Sequence, residues 1–257
     1  HEIENEVLFQ WIIYTNILKL FVSNESLSDN KDYKHLKEFL KRNSGFVNIK
    51  DYEIRELIDK QGFEVNIEYF KRFLRAKLNK SLEIKSHKAP LFKLIPHLEE
   101  VLLDVLTSKE EKENQNSYIL FFDDLDIGFN SKNEKSIQSL VSLLRICKSI
   151  NSTFGKKGIN SKIVVLLRSD IGKKIAASNA DTAKLFSSYS VTINWFQNEY
   201  NNNDYELKLN IRKFINKRIQ IAFRKIGREV NEKDPWDSLV KSENYAQKTS
   251  FKYILDH

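Results

Sequence analysis

Methionine is absent from the 257 residues, cysteine occurs once, proline three times and glycine seven times. The single cysteine, Cys147, excludes an internal disulfide and fits a reducing compartment, so a cytoplasmic location is expected. Few prolines and glycines leave long stretches free to form helix. No methionine, with histidine in first place, is what a fragment of a longer chain would show. No apolar run reaches the length that spans a bilayer. The nearest, Val7 to Val22, is broken by Gln10, Asn16 and Lys19 and reads as a buried helix. Acids precede it where a secretory signal carries basic residues. The five histidines are scattered without metal-ligand spacing, which excludes a structural zinc site.

What is present is a globular composition. Hydrophobic residues make up 41% and charged residues 30%, enough to build a core and too apolar for a disordered chain. The net charge of +7 suits an anionic partner, such as a nucleotide or a nucleic acid.

The first half is patterned for helix. Val7, Leu8, Trp11, Ile12 and Leu18 open a helix that is apolar nearly all round. Leu36, Phe39 and Leu40 mark a second, and Ile67, Phe70, Phe73, Leu74 and Leu78 a third. Leu91, Leu94, Ile95, Leu98, Leu102 and Leu106 mark a fourth, with Pro90 and Pro96 near its start. Gly45-Phe46 and Gly62-Phe63 read as breaks between helices.

The texture then changes. Lys109 to Ser117 reads as a charged loop, and Tyr118 to Phe122 as a strand buried on both faces. Ile137, Leu140, Val141, Leu144 and Cys147 predict a helix ending near Ile150, followed by a polar loop over 151–161. Ile163 to Leu167 predicts a second buried strand, closing in Arg168-Ser169-Asp170. Val191 to Ile193 predicts a third. Strand, helix, strand with apolar strands is the pattern of a parallel sheet covered by helices, so an α/β fold is expected, mostly helical overall. Ligands of such sheets sit beyond the carboxyl ends of the strands. The expected divisions are 1–108, helical; 118–196, the α/β core; and 204–257, helical.

Three acids, Asp123, Asp124 and Asp126, follow the first strand within four positions. Apolar strand residues followed by Asp-Asp is the Walker B arrangement of P-loop NTPases. A hydrated Mg²⁺ on nucleotide phosphates needs few protein ligands, and Asp123 at the strand tip can accept from one of its waters. Asp124 is the candidate to orient or deprotonate the attacking water, and Asp126 to support the site. Arg168, at the tip of the neighbouring strand, can report the γ-phosphate through charge-assisted hydrogen bonds. The plainer alternatives are a solvated acidic turn, and a salt bridge from Arg168 to Asp170 or to the acid cluster. A nuclease built on Asp123, Asp124 and Asp126 is disfavoured, because the acids share one short turn.

FFDDLD at 121–126, VVLLRSDI at 164–171, Asp181 with Lys184, and Ile193-Asn194-Trp195 before a basic helix resemble bacterial P-loop ATPases that adjoin the STAND, KAP and ORC-like AAA+ groups. The resemblance covers about residues 118–255. It implies an αβα sandwich with a large helical insertion and a C-terminal helical lid, whose last helix is SFKYILDH at 250–257. It implies ATP with Mg²⁺, and a conformational switch in DNA transactions or phage defence. A homo-oligomer or an effector-domain partner also follows. By this likeness Asp123 is the Mg²⁺-side acid, Asp124 the base and Arg168 the sensor. The sequence departs from the family in carrying no G-x-x-x-x-G-K-[ST]. The phosphate-binding loop is expected ahead of the Trp11 helix, and so ahead of His1.

Residues 208–228 form a basic helical stretch with no acid between Glu206 and Glu229. Ile211, Phe214, Ile215, Ile219, Ala222 and Ile226 are expected on its apolar face and the cations on the rest. It reads as a lid helix, as a nucleic-acid contact, or as the source of an arginine finger, Arg218, reaching the nucleotide. A non-catalytic nucleic-acid-binding or adaptor module is the competing function. No membrane partner is expected, because that apolar face carries no tryptophan.

Overall fold

The computed structural model describes residues 2–24, 33–43, 64–127, 129–130, 132–178, 180–195, 209–240 and 250–255. The breaks expected at Gly45-Phe46 and Gly62-Phe63 lie outside these residues. The chain forms two compact units, His1–Ser190 and Val191–His257.

The first unit is organised around α1, Glu2–Val22. Trp11, Ile13, Tyr14, Ile17, Leu18 and Phe21 are all buried and Leu20 is exposed, so the helix is covered on nearly every side, as a nearly all-round apolar pattern requires. Burying each of these side chains is worth roughly 1.5–3 kcal/mol. Two polar residues in this stretch are satisfied locally: Thr15 Oγ1 donates to the Trp11 carbonyl at 2.7 Å and Asn16 to that of Ile12 at 2.8 Å. Against α1 pack α2, Lys34–Arg42, and α4, Leu91–Leu106. α3, Glu68–Leu78, packs on α2, and Phe39 meets Trp11 edge-on and Phe70 with ring centroids 4.8 Å apart. Pro96 lies inside α4 and not in its first turn.

Two three-residue strands, β1 (Glu64–Asn66) and β2 (Lys88–Pro90), pair antiparallel ahead of α3 and α4. The sequence did not announce them, because they are too short to show a period.

Residues 109–114 are helical and not a loop: α5, Lys109–Asn114, is capped by Ser108, whose Oγ accepts the Glu111 amide. Ser-x-x-Glu is a capping signature that a charged run conceals. β3, Ile119–Phe122, then pairs in parallel with β4, Lys162–Val165, in the register Ile119↔Lys162 to Phe122↔Val165. The crossover is α6, Glu134–Lys157, which runs on past Ile150 through the expected loop and ends at Gly158 with φ +66°. The extra turns are held from within: Phe154 is buried in the core, and Asn151 bonds both the amide and the carbonyl of Ile163. That side-chain amide occupies part of the β4 edge, where a third strand would otherwise pair.

The β3–β4 sheet is covered on one face only. Leu120, Phe122, Ile163 and Val165 face the core, while Ile119 and Phe121 on the other face are 48% and 58% exposed. The expected burial of this strand on both faces is therefore not what the described residues form. Val191 to Ile193 is not a strand either. It makes no ladder bonds, and Val191 and Ile193 are largely exposed. A β-branched run expresses a preference for extended backbone, but a strand also needs a neighbour to pair with. The described residues are thus mostly helical, with two sheets of two strands and no complete αβα sandwich.

After β4 come α7, Ser169–Ala176, and α8, Ala180–Tyr189, which pack on each other. Leu140 and Val141 of α6 join Ile171 and Ile175 of α7 in a small second core. In the second unit α9, Asn210–Lys225, packs on a 3₁₀ turn at Pro235–Ser238, and α10, Ser250–Leu255, brings in Phe251.

Candidate functional site

The parallel pairing of β3 and β4 brings their carboxyl ends to one rim. The ladder runs one step past β4, with the Leu166 amide donating to the Phe122 carbonyl at 2.8 Å. Asp123 is the first residue beyond β3, and Arg168 is the residue that precedes α7.

The three acids are spread by a turn. Asp123 Oδ1 accepts the Asp124 amide at 2.8 Å. Asp124 takes φ 55°, a left-handed conformation that aspartate and asparagine tolerate and branched residues do not. Two further bonds close the turn, from the Ile127 amide to the Asp124 carbonyl and from the Phe129 amide to the Asp126 carbonyl, each 3.1 Å. Leu125 anchors it by packing against both cores of the first unit. Asp123 and Asp124 are exposed and Asp126 is half-buried.

Arg168 ties the two strand tips together. Its Nη1 donates to Asp126 Oδ2 at 3.1 Å, while Nε and Nη2 hold the two oxygens of Asp170 at 3.2 and 3.0 Å. These bonds, to Asp126 first and Asp170 second, raise the guanidinium above its already high ordinary value. In return Arg168 holds the Asp170 carboxyl below its ordinary value. A guanidinium has five N–H donors and three are engaged, so two remain for an incoming anion. The salt bridge offered as the plainer reading of Arg168 is therefore made, and it leaves the arginine free to donate further.

Among the described residues no three metal-capable side chains gather into a cage. A hydrated Mg²⁺ needs less, one or two carboxylates with most of its waters kept, and exposed Asp123 and Asp124 fit that demand.

The remaining sequence-predicted residues lie on other elements. Asp181 and Lys184 are exposed on α8. Arg218 belongs to the second unit, exposed on α9, with its guanidinium 5.6 Å from the Phe214 ring centroid. The burial of α9 also differs from the expectation. Arg212, counted among the surface cations, is buried with Ile219, whereas Phe214, Ala222 and Ile226 of the expected apolar face are exposed. Arg212 Nη2 meets Asp234 Oδ2 at 2.6 Å, and its guanidinium lies over the rings of Phe251 and Trp236 at 4.2 and 4.7 Å. An aspartate followed by Pro-Trp, twenty-two residues after Arg212, was the only sign of this pairing in the sequence.

A shallow pocket lies at the opposite end of β3 and β4. Glu111, Asn116, Tyr118 and Ser161 line it. Tyr118 donates to Glu111 at 3.1 Å and accepts from Asn24 at 3.1 Å. Burial and this carboxylate push the tyrosine up to about 12, which marks a structural network and not an acid–base pair working near neutrality.

Comparison of the chain with protein-family models, with curated proteins and with solved structures gives no match.

Proposed function

We propose that this chain carries the Walker B and sensor side of an ATP- and Mg²⁺-dependent P-loop NTPase that works as a conformational switch. One observation supports the reading above the others: the acid turn after β3 and Arg168 after β4 share one rim of a parallel strand pair and are bonded to each other through Asp126. Independent solvated groups have no reason to converge there.

In this reading Asp123 accepts a hydrogen bond from a water on the metal, and Asp124 orients and deprotonates the water that attacks the γ-phosphate. Mg²⁺, bound with the triphosphate, supplies charge neutralisation at the phosphate oxygens. Arg168 donates its two remaining N–H groups to the γ-phosphate and retightens on Asp126 and Asp170 when the phosphate leaves. Because Arg168 directly precedes α7, a change in its bonding is felt at the start of the α7–α8 pair. That is the mechanical content of the switch.

The experiment measures Mg²⁺-ATP binding and hydrolysis by the protein, with Asp124→Asn as the key variant. Asparagine keeps the left-handed backbone that position 124 requires, so the fold is unchanged while the base is lost. Hydrolysis is expected to fall by about 10²–10⁴-fold with ATP affinity retained. Hydrolysis equal in Asp124→Asn and the parent, or no nucleotide binding by either form, refutes the reading.

A further inference from the structure

The helix α9 has two opposite faces. Its inner face carries Arg212, Asn216, Ile219 and Phe223, at the i, i+4, i+7, i+11 spacing of one helical side. Half a turn away, Phe214, Lys217, Arg218, Ile221 and Lys225 recur at i, i+3, i+4, i+7 and i+11, and all five are exposed. Phe214 is 48% and Ile221 45% exposed. Trp195, itself 43% exposed, meets Phe214 edge to face with centroids 5.6 Å apart, and its carbonyl accepts the Ile211 amide, which pins it to the start of the helix. Arg218 lies over the same Phe214 ring.

Two exposed aromatic rings beside three cations, on a helix without a single acid, make an unusual surface. A solvated helix face gains nothing from leaving Phe, Ile and Trp in water. A protein-binding face of this kind would ordinarily mix charges of both signs to fix its register. We propose that this face, Trp195 with the outer side of α9, binds single-stranded nucleic acid. Bases stack on Trp195 and Phe214, and phosphates pair with Lys217, Arg218 and Lys225, which span about 12 Å of helix. Cations interleaved with the apolar residues along one line argue against the alternative of a membrane surface. A helix lying in the headgroup layer segregates its apolar residues from its charges, and here Lys225 and Arg218 would be dragged in with Ile221. The proposal does not depend on the nucleotide site: it predicts binding without ATP.

The test is fluorescence anisotropy of a labelled oligo(dT) of about twelve nucleotides with the full chain, over a series of salt concentrations. Three phosphate contacts to a single strand give a slope of log K against log salt of about −2. Phe214→Ala and Trp195→Ala are each expected to weaken binding by between about fivefold and about 160-fold, while hardly changing the salt slope. Lys217→Glu with Arg218→Glu should flatten the slope. All four positions are exposed, and far-UV circular dichroism of each variant checks that α9 is intact. Three results overturn the proposal: no binding up to about 100 μM protein at physiological salt; duplex bound as tightly as single strand with no effect of either aromatic variant; or association with phosphatidylserine vesicles without oligonucleotide binding.

Discussion

Replacing Asp234 by alanine should strongly destabilise the second unit without disturbing the first. The aspartate is the ion-pair partner of Arg212, a guanidinium with 5% side-chain exposure, and among the described residues Arg212 Nε and Nη1 have no partner at all. Asp234 Oδ1 also accepts from the Asn216 amide at 2.9 Å and the Trp236 backbone at 3.3 Å. Removing it leaves an uncompensated buried charge, which costs about 3–5 kcal/mol. The 3₁₀ turn loses its cap as well, for about 1 kcal/mol. Against a domain stability of about 5–15 kcal/mol, that consumes much of what a unit this small can hold. Arg212→Met behaves differently. It keeps an apolar stem between the Trp236 and Phe251 rings, removes two orphaned donors, and leaves Asp234 with its other bonds, so about 1–2 kcal/mol is expected. The double variant Arg212→Met/Asp234→Ala should be more stable than Asp234→Ala alone, because the two changes are coupled. Hydrogen exchange read by mass spectrometry separates the units: α9 amides should exchange about a thousandfold to about twenty-five-thousandfold faster in Asp234→Ala, with α1 and α4 unchanged. Asp234→Ala costing less than Arg212→Met, or less than about 1 kcal/mol, would show that this charge is not dependent on its partner.

Two further outcomes follow from single groups. Asp124→Gly should be neutral or slightly stabilising in thermal unfolding and Asp124→Val destabilising by about 1–2 kcal/mol, because φ 55° suits glycine and repels a β-branched side chain; equal melting temperatures would contradict the turn. Tyr118, pushed up from 10.0 to about 12, binds its proton more tightly folded than unfolded, so stability should fall as pH rises from 10 towards 12. Tyr118→Phe should flatten that fall in urea midpoints taken at intervals above pH 9; an unchanged slope would refute the assignment.

The helices of the first half were legible because burial enforces their period. Leu91 to Leu106 turns its apolar residues inward at every expected position, and α1 is buried nearly all round as its pattern demands. The parallel pairing of β3 with β4 was legible for a related reason: a crossover helix between two apolar strands admits few other arrangements. What failed depended on partners that one stretch of sequence does not reveal. Asn151 looks like a loop residue until Ile163 is seen to need an edge partner. Arg212 looks like one more surface cation until Asp234 is placed beside it. Val191 to Ile193 has strand composition and no strand to join. At the site, residue types and rim position were readable. The left-handed backbone at Asp124 and the double grip of Arg168 on Asp126 and Asp170 were not, since both arise from how the turn closes.

The central place of α1 has a consequence for synthesis. Of its neighbours in the finished molecule α2 follows closely, but α4 and α6 are encoded some seventy and more than a hundred residues later. At about 5–20 residues per second, a helix with so much apolar surface waits roughly 7 to 27 seconds at the ribosome before the last of its partners has emerged. During that interval only α2 of its partners is at hand to cover its apolar surface.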